Sequence, residues 1–397
     1  MFNLKLLHIF ALIYIDMVVE LKVIYGGAGC GKTHRIVEIA TELAKKQLSY
    51  IVLAPTHSSK YNVYHRFKSL GHDIDKDRFQ TIYAYFCINW EDNDVIGPSV
   101  YYDVVFIDEF GLIKKELFRQ MMSCLNTVKK HITVYIAGDV LQLSPIYVDK
   151  LLISLHRLNK YYERVPSFII EHDYKSLFSL KFVREASKEL LTVNHRSDSD
   201  TLGLIHEIFY DLNISRIKPI STNKVVYLLS KENYTFISAK YEQHDLIYRQ
   251  LKTQITDKTE INGLAFYKGA KFMAIENTRQ VHNGDLLKFK RIEGSRVIFK
   301  RDDEEILWNN NFKLIPAQLL TSHKAQGLSI DKVIVCIDDM FDISMFYTMC
   351  TRAISSLMFY TAKKTLDTEG LMRTLTRFHE MLVYYGYSID MNKTDSE

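Results

Sequence analysis

Little in this chain would staple, punctuate or anchor it. Six prolines in 397 residues leave no Pro-rich linker. No low-complexity tract or internal repeat occurs either, which excludes tethered modules and a solenoid. The five cysteines (Cys30, Cys87, Cys124, Cys336 and Cys350) are odd in number and scattered. No pair stands at metal-ligand or redox spacing, so free thiols in an intracellular, reducing compartment are expected, with nucleus and cytoplasm both open. The fourteen histidines form no HExxH pattern, which argues against a zinc site. Long apolar runs are also missing. The stretch "LKLLHIFALIYIDMVV" is interrupted by Lys5, His8 and Asp16 and is short for a membrane span. No small-residue cleavage site follows before Leu21 begins a strand. Residues 1–16 are therefore expected to be a helix packed on the first domain or an over-extended start, and no membrane partner is expected.

What is present is enough apolar content, 47%, for two or three domains with proper cores. Net charge is only +4, but residues 261–301 hold nine Lys/Arg against Glu276, Asp285 and Glu293. That imbalance fits a cationic face for a polyanion, and equally a solvated strand surface.

Short apolar runs alternate with helical periodicity. "LKVIY" (21–25), "YIVLA" (50–54), "VVFID" (104–108) and "VYIAG" (134–138) read as buried parallel strands. Ile36, Ile39, Ala40 and Leu43 recur at helical spacing between the first two, giving a βα pattern. A second set of strands is expected at "VVYLL" (225–229), "TFISA" (235–239) and "VIVCI" (333–337), with a helix from Tyr241 to Leu251. Residues 262–315 carry Gly263, Gly269, Gly284 and Gly294 between short alternating runs, the texture of a small antiparallel barrel. Leu371, Leu375, Phe378 and Leu382 make an amphipathic closing helix.

Three segments carry chemistry. "GGAGCGKT" (26–33) fits G-x-x-x-x-G-K-[ST] between a strand and a helix. Gly26, Gly27, Ala28, Gly29, Cys30 and Gly31 would curl their N–H groups around phosphate oxygens. Lys32 would neutralise β/γ charge, and Thr33 would offer its hydroxyl to Mg²⁺. In "VVFIDEF" (104–110), Asp108 at a strand end is placed to hold Mg²⁺, and Glu109 to orient and deprotonate water, which a hydrolase needs and a binder does not. "GDVLQLSPI" (138–146) would direct Asp139 and Gln142 from another strand end toward the γ-phosphate. Read alone, "DE" is also a solvated turn and the third segment a loop.

In this order the motifs resemble those of superfamily 1 helicases, and within them the RecD-like group (superfamily 1B). "GGAGCGKT" is similar to motif I, "LAPTHSSK" (53–60) to motif Ia, "QTIYAYF" (80–86) to the motif after it, "DEF" to motif II and "GDVLQLSP" to motif III. "LTVNHRS" (191–197) resembles motif IV, "LTSHKAQG" (320–327) motif V and "FYTMCTRA" (346–353) motif VI. Residues 268–289 resemble the SH3-like insertion of that group. Tyr83 stands where the group usually has His, and Ser144 replaces a proline.

The resemblance implies an α/β fold of two RecA-like P-loop NTPase domains with parallel sheets, plus a small SH3-like β-barrel inserted in the second. The expected division is residues 17–150 for domain 1, with a small insertion near 84–100, and 151–190 as connector. Domain 2 would be 191–260 and 316–397, interrupted by the barrel at 261–315. It implies arginine fingers at Arg196 and Arg352, and Gly327 beside Gln326 relaying cleft closure. Thr56, Thr81, Thr321, His323 and Lys324 would contact a nucleic-acid backbone, and His57, Phe79 and Tyr83 would stack on bases or sugars. Phe86 or Trp90 would help split strands. The activity implied is Mg²⁺-dependent ATP hydrolysis driving 5′→3′ movement on single-stranded DNA and unwinding at duplex junctions, compatible with replication, recombination or repair. Alternatives are an RNA helicase of the viral type, a P-loop phosphotransferase and a non-catalytic binder. No feature sets the oligomeric state, and a monomer is compatible with all of it.

Overall fold

The computed structural model describes residues 19–71, 75–89, 94–128, 130–145, 165–301, 304–338 and 342–387. Expectations for residues 1–16 and for Trp90 fall outside these residues, as does much of the expected connector.

Eighteen strands form four sheets in the described residues. The first sheet contains β1 (Val19–Gly26), β2 (Tyr50–Ala54), β3 (Phe79–Thr81), β4 (Val104–Ile107), β5 (Ile132–Gly138) and β6 (Ser187–Leu191). Their order is β3-β2-β4-β5-β1-β6, and every pairing is parallel. β2 and β4 are buried along their whole length, as strands covered by helices on both faces must be. Helix Lys32–Lys45 covers one face with Ile36, Val37, Ile39 and Ala40, and Lys115–Asn126 presents Leu117, Phe118, Met121, Met122 and Leu125 to the core. β6 lies in the stretch expected to be connector, yet pairs with β1 from Lys22↔Ser187 to Gly26↔Leu191. Its sequence, "SKELL", is half-exposed at the sheet edge and carries none of the apolar continuity of a central strand.

The second parallel sheet has the order β16-β8-β17-β18-β7. Its strands are β7 (Pro219–Ile220), β8 (Thr235–Ser238), β16 (Leu319–Thr321), β17 (Ile330–Cys336) and β18 (Ala353–Tyr360). "VVYLL", expected as a strand, is instead part of helix Thr222–Lys231. Ser221 accepts a hydrogen bond from the Lys224 N–H as N-cap. Val225, Val226, Leu228 and Leu229 are buried while Tyr227 is 51% exposed, a helical stripe rather than a strand alternation. Helices Tyr241–Gln254 and Thr368–Tyr384 form where expected.

Between β8 and β16 lie two antiparallel pieces. β9 (Thr259–Ile261) and β10 (Leu264–Phe266) make a two-stranded ribbon. β11 (Lys271–Ala274), β12 (Leu286–Glu293), β13 (Arg296–Arg301), β14 (Glu304–Trp308) and β15 (Leu314–Pro316) make a five-stranded sheet in the order β14-β13-β12-β11-β15. It has its own core of Phe266, Phe272, Phe299 and Trp308, and the Trp308 indole donates to the Phe312 carbonyl at 2.7 Å. Three of the basic residues of this segment are paired: Lys290 and Arg291 with Glu305, Arg301 with Asp285 and Glu304. The acidic partners Glu304 and Glu305 lie just past the basic stretch in sequence, on β14, and Glu305 reaches Lys290 and Arg291 of β12 across β13.

Candidate nucleotide cleft and strand groove

Open parallel sheets offer ligands the carboxyl ends of their strands, and both sets of candidate residues lie there. A cleft of about 660 Å³ is lined by Ala28, Gly29, Gly31, Lys32 and Thr33 after β1, Asp108 and Glu109 after β4, Gln142 after β5, Arg196 after β6, and Gly327 from the second sheet. A second groove, of about 870 Å³, is lined by Thr56, His57, Tyr83, Thr321, His323 and Lys324. Gln326 lines that groove and Gly327 the cleft. The segment Thr321–Gly327 is therefore the wall between them.

In the phosphate-binding loop, Gly29 and Gly31 adopt φ +81° and +77°, left-handed values that glycine takes without strain. A Cβ on Gly29 would come within 2.7 Å of Asn194 Nδ2 and 2.8 Å of Arg196 Cβ. The Lys32 ammonium donates to the Gly26 and Gly27 carbonyls at 2.9 and 2.7 Å. Gly26, Gly27 and Cys30 do not line the cleft, and the Cys30 thiol is buried. Burial pushes that thiol's pKa up, with Lys32 opposing, so it is held in the less reactive form.

Thr33 Oγ1 donates to Asp108 Oδ2 at 2.9 Å, and the Glu109 N–H donates to Asp108 Oδ1 at 2.9 Å. Asp108 is 4% exposed. Burial and the adjacent Glu109 push its carboxyl up to about 7. Glu109 itself sits at φ 55°, a left-handed conformation unusual for a side chain with a Cβ.

Asp139 is placed differently from expectation. It is 1% exposed and does not line the cleft. Its oxygens accept from the Leu141 N–H, the Tyr387 hydroxyl and Gln142 Nε2, each at 3.0 Å. It therefore holds Gln142 rather than a phosphate.

The two arginines also differ. Arg196 lies in the cleft wall, donating to the Thr351 carbonyl at 3.0 Å. Burial lowers its pKa, and Glu109 opposes that shift. Arg352 is 1% exposed and absent from the cleft lining. Its guanidinium donates to the carbonyls of Thr348 (3.0 Å) and Leu328 (3.4 Å) and to Thr351 Oγ1 (3.4 Å). Burial, then the neighbouring Arg196, lowers its pKa to about 10, so it stays charged near neutral pH.

Several residues of the motifs to which the resemblance gives no part tie the phosphate-binding loop and the segment after β5 to the rest of the chain. Asn194 Nδ2 donates to the Ala28 carbonyl at 2.9 Å, and the His195 N–H to the Gly29 carbonyl at 2.9 Å. The Tyr347 hydroxyl accepts from the Ala28 N–H at 3.3 Å, and Thr348 Oγ1 from the Leu143 N–H at 3.1 Å. These groups lie in "NHRS" and "FYTMCTRA", where the arginine alone carries a local signal of phosphate chemistry.

In the groove, Thr56 and Thr81 are helix N-caps, their hydroxyls accepting from the Ser59 and Ala84 N–H groups. Thr81 is buried and does not line the groove. Lys324 Nζ donates to Asn283 Oδ1 at 3.0 Å, and the His57 ring stacks on His282 with centroids 4.0 Å apart. Burial lowers the pKa of both His323 and Lys324. Phe79 and Phe86 are corrected: they are 5% and 0% exposed and belong to the core. Phe79 packs edge-on against Tyr64 and Phe67, so neither ring reaches the groove.

Residues 14–148 match the family described as an AAA domain. No curated protein matches the sequence. The chain is similar to solved structures of Pif1 helicases. One is Bacteroides Pif1 bound to single-stranded DNA, at 16% identity and TM-score 0.58, covering 97% of this chain and 98% of that one. A second is Pif1 helicase from Bacteroides with ADP-AlF3 and single-stranded DNA, at 17% and 0.56 with the same coverage. A third is Pif1 helicase from Candida albicans, at 18% and 0.53, covering 97% of this chain and 99% of that one. The chain therefore has the α/β fold of these helicases along nearly its whole length.

Proposed function

We propose that the protein is an ATP-dependent DNA helicase of superfamily 1, of the RecD-like and Pif1-like branch, with the antiparallel insert as its SH3-like barrel. One observation carries this reading: the phosphate-binding loop, the Asp108–Glu109 pair, Gln142 and Arg196 line one cleft, and a single segment, Thr321–Gly327, separates it from a groove of strand-binding character. The solved complexes of the similar Pif1 proteins hold ADP-AlF3 and single-stranded DNA, which supports both ligands.

The residues at the base of the cleft fit a divalent cation. A buried carboxyl beside a threonine hydroxyl, 2.9 Å apart, is the oxygen donor set a hard cation takes. Asp108 and Thr33 would hold Mg²⁺, which supplies charge neutralisation at the phosphates when bound. Lys32 would exchange the Gly26 and Gly27 carbonyls for phosphate oxygens. Glu109 would accept a proton from the attacking water. Arg196 would face the charge developing on the transferred phosphoryl group. Arg352, buried among carbonyls of its own unit, would position Arg196 and Thr351 or move on closure.

On the far side of the wall, Thr321, His323 and Lys324 would contact the strand backbone, which fixes register without reading sequence. Movement of the Thr321–Gly327 wall would then transmit hydrolysis to grip, with 5′→3′ polarity as the branch implies. The test is steady-state ATP hydrolysis with and without single-stranded DNA or RNA, beside Lys32→Ala. DNA stimulation abolished by the substitution supports the proposal. Stimulation by RNA alone transfers the motor to an RNA track, and a rate indifferent to either polynucleotide rejects the groove assignment.

A further inference from the structure

Helix Thr368–Tyr384 ends in Tyr385-Gly386-Tyr387. Gly386 takes φ +70°, and the Tyr387 N–H returns to the Leu382 carbonyl at 2.9 Å while the Gly386 N–H bonds Val383 at 3.1 Å. This αL turn closes the helix and sends the Tyr387 ring into the first unit, edge-on to Tyr25 at 5.9 Å. Its hydroxyl donates to Asp139 Oδ1 and accepts from the Val140 N–H, both at 3.0 Å. Tyr385 anchors the same turn, donating to Asp173 Oδ1 at 3.3 Å.

Asp139 is an acceptor-only group when ionised, so the Gln142 atom facing it must be the donating Nε2. That contact measures 3.0 Å. The amide orientation is thereby fixed, leaving Oε1 as the remaining polar atom of Gln142. Oε1 is buried and has no hydrogen-bond partner among the described residues, in a side chain that lines the nucleotide cleft. A carbonyl oxygen accepts hydrogen bonds and cannot donate one to a phosphate.

We propose that Tyr387 is a positioning residue which, through Asp139, locks the Gln142 amide with its carbonyl oxygen available to a proton donor in the cleft, the attacking water, beside Glu109. The inference rests on the hydrolase reading above, and replaces the expectation that Gln142 meets the γ-phosphate directly. The C-terminal turn of the second unit thus becomes part of the hydrolytic site.

The experiment is DNA-stimulated ATP hydrolysis by Tyr387→Phe, Gln142→Ala, the double variant and Asp139→Asn, with melting temperatures as folding controls. Tyr387→Phe keeps the ring and loses the hydroxyl. Its kcat should fall about tenfold with KM for ATP changed by less than about twofold, and it should add less than about twofold to Gln142→Ala. Asp139→Asn presents an amide where Gln142 donates, inverting the glutamine, and should lower kcat at least as much. An unchanged kcat in Tyr387→Phe, or losses that multiply in the double variant, overturns the inference alone. A wild-type protein that fails to hydrolyse ATP overturns both it and the hydrolase reading.

Discussion

The cleft and the groove on either side of Thr321–Gly327 are built differently. In the cleft, the groups proposed to act on a nucleotide are fixed by short bonds at strand ends: Thr33 to Asp108, Gln142 to Asp139, and the Ala28 and Gly29 carbonyls to Asn194 and His195. In the groove, the polar groups are engaged with one another, Lys324 with Asn283 and His57 with His282. The difference teaches that the cleft is preorganised, as charge stabilisation in a transition state requires. The groove must exchange internal partners for a strand, which suits a site that grips and releases.

The largest expected effect separates the two arginines. Arg196→Ala should lower kcat by roughly a thousandfold while leaving the protein folded. Arg352→Ala removes a buried guanidinium and orphans its acceptors, so urea unfolding should report a loss of about 3 kcal/mol. If instead Arg352→Ala is stable and only slow, the contrast between a cleft-lining arginine and a fully buried one fails.

Acid should act next, and on stability. Burial holds His57, His172 and His244 each down at about 4, below an ordinary value of 6.5. Unfolding therefore takes up protons in that interval, and stability present above 6.5 is lost as pH falls through it toward 4. Thermal melts between about pH 7 and pH 5 should show a falling midpoint, and His244→Gln should flatten the fall. A midpoint that rises on acidification would contradict the buried neutral histidines.

A smaller effect belongs to the groove. Lys324→Ala should weaken single-stranded DNA binding uniformly across sequences and reduce the salt slope by about one, with KM for ATP unchanged. A change confined to ATP affinity would place Lys324 on the wrong side of the wall. Smallest of all, Tyr227→Ser should shift stability by less than about 0.5 kcal/mol, whereas Leu228→Ala should cost about 3 kcal/mol. A strand at 225–229 would put Tyr227 on the face of Val225 and Leu229 and reverse that ranking.

The cleft was legible because phosphate chemistry demands particular residue types at fixed spacing, and because β2 and β4 are buried along their whole length and read as apolar runs. β6 was missed since an edge strand needs no such run, and its omission displaced the first unit's boundary. "VVYLL" misled because five apolar residues in a row suit a buried strand, whereas the decisive capping signal, Ser221, lies outside the run. Phe79, expected to stack on bases, and Phe86, expected to help split strands, are instead buried by packing within the first unit. Asn194, Tyr347 and Tyr387 reach the site through contacts more than a hundred residues away in the chain, with Ala28, Ala28 and Asp139, which no local pattern displays. Part of the charge excess at 261–301 is offset on folding, because β14 brings Glu304 and Glu305 beside Arg301, Lys290 and Arg291.

The most direct test of a shared wall is linkage between its two sites. Fluorescence anisotropy of a labelled single strand, titrated with the protein in saturating ADP and in a non-hydrolysable ATP analogue, measures it. The account predicts affinities that differ by about fivefold or more between the two nucleotides, with the reciprocal change in nucleotide affinity when strand is bound. Identical strand affinity in both would mean that Thr321–Gly327 separates the sites without coupling them.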